Sequence, residues 1–539
     1  MIAINFKKWD ILLGWLTFVI ALITYTLTLE PTVSAWDVGE YISTAVKLEV
    51  GHPPGAPLFQ MLGAFFAIFT SDVSQIAKMV NFMSGLASAF TILFMFWTIT
   101  NLAQKVVLKK SKTISDGAAI AILGSGFVGS LAYTFSDSFW FSAVEGEVYA
   151  MSSFLMAILF WLGLKWESEI HAKRGNKWLL LISFVVGLSF GVHILSLLVI
   201  PAIVMLYFFK TYKKINLRTT TIATAFSIMV LAFVFKFLFP FTLKFFSASE
   251  LFFINSIGLP YNSGSIIAAI ILIVFFYFGL NYTRKKNMVH ANTLLLSVLF
   301  IMIGFSSWMM LPIRANANTT INENNPSSAR ELLAYYEREQ YGDANVFYDT
   351  YYSNSYSREQ DKNQPYKDDK PKYEKRNGKY EIVNNYENVV PNWTDKHKGF
   401  IPRMVNPASE KYYKQIAGIP ANSKRRPTFG ENLKFMMSFQ FGYMYGRYFM
   451  WNFVGRQNDI QGNLDIFNGN WLSGIPIVDE ARLGSQKQLP SQVLENKGRN
   501  KYYFLPLILG IIGLLFQIKW DKENFFTLLL FFLFTGAAI

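Results

Sequence analysis

Long stretches without charge are the feature of this sequence that most constrains its fold. A helix needs about 20 apolar residues to cross a hydrocarbon core of about 30 Å, and it satisfies its own backbone polar groups in lipid. The chain of 539 residues is 52% hydrophobic and only 16% charged, which excludes an ordinary soluble enzyme. The pattern predicts membrane-spanning helices in the runs 11–29, 80–101, 117–134, 149–164, 219–240, 265–283, 292–312 and 502–518.

The stretch 178–209 has no charged residue and would be about 48 Å long as one helix, which exceeds the thickness of the core. Basic clusters at 173–177 and 210–214 flank this stretch, and the positive-inside rule places both of its ends in the cytoplasm. We therefore predict a hairpin of two short helices that turns near 191–193. With this hairpin and a last apolar run at 525–539, the chain has about 11 transmembrane helices.

The net charge of +14 is mainly an orientation signal under this topology. Of the 23 Lys and Arg residues outside 313–501, 19 fall on the predicted cytoplasmic face. We therefore expect no nucleic-acid partner, although a basic protein often has one. The chain contains no cysteine, which excludes disulfides, thiolate nucleophiles and cysteine-bound zinc.

The same topology divides the chain into three segments. Residues 1–312 are predicted to form an all-α polytopic membrane domain with outer loops at 30–80 and 135–148. Residues 313–501 carry 27 basic and 21 acidic residues and 16 of the 27 tyrosines, which is too aromatic for a disordered linker. We predict that they form a mixed α/β extracytoplasmic domain. Residues 502–539 are predicted to be C-terminal transmembrane helices, the second of which stops while still apolar.

The first outer loop carries candidate catalytic carboxylates at Asp37 and Glu40. In a helix these two residues lie three apart on one face, where their repulsion favours the binding of a proton or a cation by one of them. A catalytic general base must take up a proton, and a second carboxylate beside it favours this uptake. The alternative is a pair of solvated carboxylates in a loop. The neighbouring turn 51–57 is rich in Pro and Gly and contains His52.

The second outer loop contains Asp137 and the pair Glu145 and Glu147, set among aromatic residues. Alternate side chains of an extended chain point to the same side, so the pair could hold a divalent cation or orient a hydroxyl group. The alternative is a surface turn that keeps the loop soluble. No His or Cys accompanies the pair, which weakens the case for zinc.

Several basic residues could bind an anionic group at the outer surface. Arg314 follows a predicted span, where a guanidinium group can bind a lipid phosphate through two hydrogen bonds. His52 and His193 lie in outer connections, although a lone histidine such as His193 is more often structural. Arg447 and Arg456 lie in an aromatic stretch that could stack a sugar or pack on the membrane domain. The sequence has no glycine-rich nucleotide loop, which favours a lipid-linked donor.

Three separated motifs resemble those of a known family. They are the run 36–40 with 52–55, the segment 311–314 leading to 338–342, and the aromatic run 451–462. Together they look like the DUF2723 family, a GT-C glycosyltransferase group (family 117) that is widespread in Bacteroidota. A eukaryotic protein O-mannosyltransferase is among the relatives of that family.

The resemblance implies an inverting transferase of the bacterial inner membrane with its active site facing the periplasm. Such an enzyme moves a sugar, mannose or another hexose, from a polyprenyl-phosphate carrier to Ser or Thr hydroxyls of exported proteins supplied by the export machinery. Asp37 matches the catalytic acidic position, with Glu40 as its partner and Glu145, Glu147 and Asp137 as supports for the acceptor or for a metal such as Mg²⁺ or Mn²⁺. The metal question stays open. The expected ligands of the donor phosphate are Arg314, His52, Arg447, Arg456 and His193.

Other classes of membrane protein remain as alternatives. A secondary transporter or flippase predicts ionisable residues at mid-membrane and inverted repeats, and the sequence shows neither. A non-catalytic component of a transport or secretion apparatus would not need Asp37. A glycosyltransferase acting on lipid or polysaccharide stays open, because nothing in the sequence identifies the acceptor.

Overall fold

A computed structural model describes residues 5–109, 111–342 and 345–537. Its helices, in chain order, are α1 Phe6–Leu27, α2 Val38–Lys47, α3 Pro57–Ala67, α4 Ile76–Leu108, α5 Asp116–Thr134, α6 Asp137–Ala143, α7 Val148–Glu169, α8 Asn176–Ser189, α9 Ile200–Thr211, α10 Leu217–Ala232, α11 Phe239–Leu251, α12 Ser263–Lys285, α13 Val289–Phe305, α14 Met310–Asn316, α15 Ala329–Tyr336, α16 Asn354–Ser357, α17 Glu410–Ala417, α18 Phe429–Phe435, α19 Arg447–Phe453, α20 Pro476–Leu483, α21 Ser491–Leu494, α22 Leu505–Trp520 and α23 Lys522–Phe532. The strands are β1 Tyr348–Thr350, β2 Tyr366–Lys367, β3 Lys372–Arg376, β4 Lys379–Asn384, β5 Val390–Pro391 and β6 Lys398–Phe400.

The fold is that of a polytopic helical membrane protein, as the apolar runs predict. Within the described ranges, eight helical segments are long and apolar enough to cross a membrane. Short 3₁₀ or π segments extend several of them, so the eight run Phe6–Leu27, Val73–Leu108, Asp116–Thr134, Val148–Glu169, Ile194–Thr211, Leu217–Ser256, Ser263–Lys285 and Val289–Asn316. The expected number of about 11 is not confirmed, because α8, α22 and α23 have only 14, 16 and 11 residues.

The chain divides into two compact units. The first comprises Met1–Glu250, Asn262–Arg338 and Ile512–Ile539, and the second comprises Leu251–Tyr261 and Glu339–Ile511. Residues 313–338, which the topology prediction grouped with the outer domain, therefore belong to the helical unit. In that unit they contribute α14, α15 and the loop between these two helices.

The predicted hairpin within 178–209 is confirmed. Helix α8 ends at Ser189, and the next helical turn begins at Ile194. The carbonyl of Gly191 in this turn accepts hydrogen bonds from the backbone N–H groups of Leu58 and Phe59, at 2.7 and 3.2 Å. The start of α3 is thereby fixed to the hairpin tip.

Close backbone approach holds α8 against α13. A Cβ atom built on Gly187 would lie 2.1 Å from the carbonyl oxygen of Ile301, and one on Gly304 would lie 2.4 Å from that of Phe184. Helices in lipid associate through such small-residue packing, because the hydrocarbon around them removes most of the hydrophobic driving force. Both glycines are therefore needed for this helix pair.

The second unit is a small mixed structure of short helices and three two-stranded antiparallel sheets, β1–β6, β2–β5 and β3–β4. In the first sheet Tyr348 pairs with Phe400 and Thr350 with Lys398. A compact core forms beneath this sheet from Tyr351, Tyr352, Met404, Tyr413, Ala417, Ile419 and Phe435. This part of the chain contains strands, as the sequence predicts.

Candidate active site

Helix α2 positions the first pair of predicted carboxylates. Asp37 is the residue immediately before the helix, and its side chain makes no capping hydrogen bond to the first turn. Glu40 lies in that first turn, where the positive end of the helix dipole favours a carboxylate. Asp37 is exposed and Glu40 is half-buried. The two carboxylates therefore stand at the same helix end in different environments.

Glu40 binds His52 through both of its carboxylate oxygens. Oε1 accepts the backbone N–H of His52 at 2.6 Å, and Oε2 lies 3.0 Å from Nδ1 of the imidazole. The bond to Glu40 raises the pKa of His52 above its ordinary value. Burial favours the neutral form of Glu40, but the hydrogen bonds from His52 outweigh it and lower the pKa of that carboxyl. The hydrogen bonds therefore favour the charged form of each side chain, in which the two form an ion pair.

Glycine is required beside this ion pair. A Cβ atom on Gly51 would lie 2.6 Å from Oε1 of Glu40. Gly55, three residues after His52, has a φ of 79°, and a Cβ atom there would lie 2.7 Å from the hydroxyl of Tyr335. The two glycines let the turn pass between the carboxylate and the tyrosine.

Tyr335 of α15 holds the same turn from the other side. Its hydroxyl lies 2.5 Å from the carbonyl oxygen of Gly51 and 3.1 Å from that of His52. The side chain is only 1% exposed, so these carbonyls have no competing solvent. Tyr335 thus fixes the backbone that carries His52.

Arg314 of α14 closes the other end of α2. Its Nε donates to the carbonyl of Leu48 at 2.5 Å, and its Nη2 donates to the carbonyl of Lys47 at 3.1 Å. These are terminal carbonyls of the helix, which have no partner inside it. The guanidinium group predicted to bind a lipid phosphate therefore uses two of its donors to hold α2.

The pair Glu145 and Glu147 is buried, so the surface-turn alternative is wrong for these two residues. Glu145 is 3% exposed and Glu147 is 8% exposed. Glu145 Oε2 accepts a hydrogen bond from the Ser34 hydroxyl at 2.7 Å, and burial raises the pKa of this carboxyl. Burial, followed by the negative charges of Glu145 and Asp37, raises the pKa of Glu147 to about 7. Glu147 therefore changes its charge near neutral pH.

The two loops meet around Tyr41 of α2. Its ring centroid lies 5.7 Å from that of His52. Burial raises the pKa of Tyr41 above its ordinary value, and the charges of Glu147 and Asp37 add to this effect. The phenol therefore stays protonated. The charge of Asp37 acts on the ionisation of both Glu147 and His52, and the charge of His52 acts on that of Glu147, so these side chains belong to one electrostatic site.

Several residues of this site were not predicted from the sequence. Glu323 follows α14, and its backbone N–H donates to the carbonyl of Val50 at 3.0 Å. Burial raises the pKa of Glu323, and the charge of Glu40 adds to the rise. Tyr335 and Ser34 were also missed. None of them carries a local motif, because each reaches the site through tertiary packing.

The residues present do not fit a bound metal ion. Among the residues that the structure describes, no three His, Asp or Glu side chains are grouped closely enough to ligate one ion. Mg²⁺ and Mn²⁺ prefer about six oxygen ligands, and Glu145 already accepts a hydrogen bond from Ser34. We therefore derive no chemical step through a metal.

His193 has a structural environment. Its Nδ1 accepts the backbone N–H of Leu195 at 3.2 Å and so caps the helical turn that follows the hairpin tip. Its ring lies 5.5 Å from that of Tyr149. Burial lowers the pKa of His193 to about 4, so the imidazole is neutral at pH 7 and a poor ligand for phosphate. Asp137 lies in the first turn of α6.

The two remaining predicted phosphate ligands lie in the second unit. Arg447 is buried, its guanidinium carbon lies 4.3 Å from the ring centroid of Tyr443, and Nη1 donates to the hydroxyl of that residue at 2.9 Å. The rings of Tyr448 and Trp451 also face this guanidinium. Arg456 donates from Nε to the carbonyl of Gly498 at 3.0 Å. Both arginines are thus built into the packing of their own unit.

Comparison with known proteins gives matches to two parts of the chain. Residues 37–216 match the family described as the N-terminal domain of protein O-mannosyl-transferase TMEM260. Residues 342–437 match a family of unknown function, DUF8416. No solved structure matches the chain.

Two curated relatives carry the same name. Protein O-mannosyl-transferase tmem260 of Dictyostelium discoideum is 28% identical over 208 residues, which are 36% of this chain and 23% of that protein. Protein O-mannosyl-transferase TMEM260 of Mus musculus is 28% identical over 214 residues, which are 39% of this chain and 28% of that protein. The matched part thus spans about a quarter of the length of these relatives.

The matched segment 37–216 begins at Asp37 and contains Glu40, His52, Glu145 and Glu147. The similarity supports the O-mannosyltransferase-like part of the resemblance seen in the sequence. Membership of DUF2723 and an origin in Bacteroidota stay predictions. The region that resembles a protein O-mannosyl-transferase is the region in which the structure brings the candidate residues together.

Proposed function

We propose that this protein is a membrane glycosyltransferase that moves a sugar from a polyprenyl-phosphate donor to Ser or Thr hydroxyls of exported proteins. The sugar is mannose or another hexose, and the reaction takes place on the periplasmic side of the bacterial inner membrane. The observation that carries the proposal is one electrostatic site, formed by exposed Asp37, the Glu40–His52 ion pair and Glu147, within the segment similar to TMEM260.

Asp37 is the better candidate for the general base than Glu40. Both oxygens of Glu40 are occupied by His52, whereas Asp37 is exposed at the helix end. An acceptor hydroxyl can therefore approach Asp37 without breaking the ion pair. Glu147 is the second candidate, because a pKa of about 7 is close to the optimum for general-base catalysis near neutral pH.

The proposed reaction is a single displacement at the anomeric carbon. The acceptor oxygen forms a bond to that carbon while the bond to the phosphate oxygen breaks, and the bonding electrons leave with the phosphate. The hydroxyl proton passes to Asp37. The hydrogen bond to Glu40 favours the protonated form of His52, whose imidazolium would offset the negative charge that develops on the departing phosphate.

Arg314 and Tyr335 have positioning roles in this proposal. Arg314 holds the C-terminal end of the helix that carries Glu40, and Tyr335 holds the turn that carries His52. If the loss of one of these contacts displaced Glu40 or His52 by about 1 Å, the rate could fall about a hundredfold. The contact between Arg314 and the donor phosphate stays a prediction. It would use the N–H groups of the guanidinium that do not bond to α2.

The proposal is tested by intact-mass analysis of periplasmic proteins from cells that carry the wild-type gene, no gene or an Asp37→Asn gene. We expect hexose-bearing masses only in the wild-type cells, because general-base removal costs about 10² to 10⁴ in rate. Asp116→Asn is the matched control, since Asp116 is likewise an exposed aspartate at the N-terminal end of a helix, α5. It should behave as wild type.

The same comparison separates the alternatives. Unchanged protein masses together with altered lipid or polysaccharide masses would mean that the acceptor is not a protein. Wild-type masses with Asp37→Asn would contradict the assignment of the base. Unchanged masses in every class of molecule on deletion of the gene would contradict glycosyl transfer altogether and favour a transport or secretion component.

A further inference from the structure

The second unit presents apolar side chains at the end of its β1–β6 sheet. Phe347 is 76% exposed and Phe400 is 69% exposed. The backbone N–H of Ile401 donates to the carbonyl of Phe347 at 2.8 Å, and the ring of Tyr348 lies 5.2 Å from that of Phe400. The ring of Phe400 lies on the same face of the sheet as that of Tyr348, because these two residues are directly paired.

An aromatic and basic cleft of about 410 Å³ is lined by these two rings, Tyr348 and Phe400, among others. Gly399 forms part of its floor, and a Cβ atom there would lie 2.5 Å from the ring of Tyr351, so only glycine lets the ring lie on the strand. Two cationic residues line the cleft: Nη1 of Arg426 donates to the carbonyl of Lys398 at 2.7 Å, and the ammonium of Lys398 lies 3.2 Å from Oδ1 of exposed Asp395. The lining residues are Tyr348, Tyr351, Lys398, Gly399, Phe400, Arg426, Pro427 and Phe429.

The segment of the chain that supplies most residues of this cleft, 395–434, carries a surplus of positive charge. Residues 313–501 have 27 basic and 21 acidic residues, a surplus of 6. Residues 395–434 alone have nine basic and three acidic residues, which is the same surplus of 6. The rest of the segment is therefore neutral overall. This distribution favours an anionic partner at the cleft.

We propose that this aromatic and basic surface, formed by Phe400, Phe429, Lys398 and Arg426, binds an anionic lipid surface. One lipid headgroup phosphate would occupy the cleft, and the exposed rings would enter the interface. Exposed aromatic side chains next to clustered Lys and Arg are typical of interfacial membrane binding. The inference is independent of the proposed glycosyl transfer, because it uses no residue of the candidate active site.

Two observations favour a lipid surface over an acidic polypeptide. A cleft of about 410 Å³ has the size of a small-molecule site, which suits a headgroup better than an extended peptide. The second unit also contains the start of α22, an exposed apolar helix that directly follows the aromatic run 502–504. Aromatic residues before an apolar helix are typical of a membrane interface. The second unit therefore contains a segment suited to the membrane surface.

The absence of cysteine makes the test direct. A single Cys introduced by Phe400→Cys would carry an environment-sensitive fluorophore in the full chain, reconstituted into nanodiscs. The discs would contain either phosphatidylcholine alone or equal parts of phosphatidylcholine and phosphatidylglycerol. We expect a blue-shifted, quencher-protected label only in the anionic discs, and loss of that shift at high salt. A label at Asn377→Cys, in the exposed β3–β4 turn, should stay water-exposed in both.

Charge variants provide the second measurement. In the labelled protein, Lys398→Gln with Arg426→Gln should lower the ratio of protected to exposed label about thirtyfold, or about fivefold for each cation. A label that is equally exposed in both kinds of disc would overturn the proposal. A label that is protected in both kinds and insensitive to the charge variants would also overturn it, because polypeptide would then cover the surface.

Discussion

The sharpest electrostatic consequence of the structure concerns Glu147. Its pKa is about 7 in the folded protein, against 4.5 for an ordinary glutamate, and ionising it there costs roughly 3 kcal/mol at about 1.4 kcal/mol for each pH unit. Since the group keeps partial contact with solvent, we expect about half of this, roughly 1.5 kcal/mol, in a measured free energy of unfolding. Glu147→Gln should remove the cost, because glutamine resembles the protonated carboxyl and does not ionise.

The sign follows from the direction of the shift. A raised carboxyl pKa gives the folded protein an advantage below the unfolded value of 4.5, and this advantage is lost as the pH rises to about 7. Glu147→Gln and wild type should therefore unfold at similar temperatures near about pH 4. Above about pH 7.5 the variant should unfold at the higher temperature.

The assay is thermal unfolding of the purified protein across this pH range. Glu387→Gln is the control, since Glu387 is exposed and should leave the pH dependence unchanged. The reasoning would be refuted if the unfolding temperatures of Glu147→Gln and wild type differed by the same amount at every pH. Such a result would show that the ionisation of Glu147 does not change the stability of the folded protein.

Two substitutions test the support of the Glu40–His52 ion pair. Gly51→Ala should displace Glu40, because the new Cβ atom would lie 2.6 Å from Oε1, and the midpoint of His52 titration followed by NMR should fall towards its ordinary value. An unchanged midpoint would contradict this. Tyr335→Phe should cost about 1–2 kcal/mol in unfolding free energy by removing the hydrogen bond to the carbonyl of buried Gly51, and unchanged stability would contradict the role of the hydroxyl.

The sequence predicts those parts of the fold and the site that depend on local pattern. The charge-free stretch 178–209 was too long for one span, and its flanking basic clusters required a turn where the structure has one. Asp37, Glu40 and His52 were identified because they lie within one short loop and its helix. A helix with this spacing and a Pro-Gly turn after it brings such residues together without help from distant segments.

The rest depends on contacts that no local pattern contains. Tyr335 lies 283 residues after His52 in the chain, and Glu323 reaches Glu40 only because the segment after α14 pairs with Val50. Arg314 was expected at a lipid phosphate, but the carbonyls at the end of α2 already bind two of its donors.

The sequence also does not show whether a carboxylate is exposed or buried in the folded protein. Glu145 and Glu147 are spaced like residues of an exposed turn, yet packing around Gly146 buries them. A Cβ atom on this glycine would lie 2.9 Å from Oδ1 of Asn81 and 3.1 Å from the side chain of Ile42. The shifted pKa of Glu147 follows from that packing.

The most direct test of the central claim is the rate of sugar transfer by purified protein in nanodiscs. The donor would be polyprenyl-phosphate mannose, the acceptor a Ser/Thr-rich peptide, and the readout the peptide mass over time. If Asp37 is the base, Asp37→Asn should lower the rate at least about a hundredfold while Asp116→Asn leaves it unchanged. Transfer by Asp37→Asn at close to the wild-type rate would contradict the account.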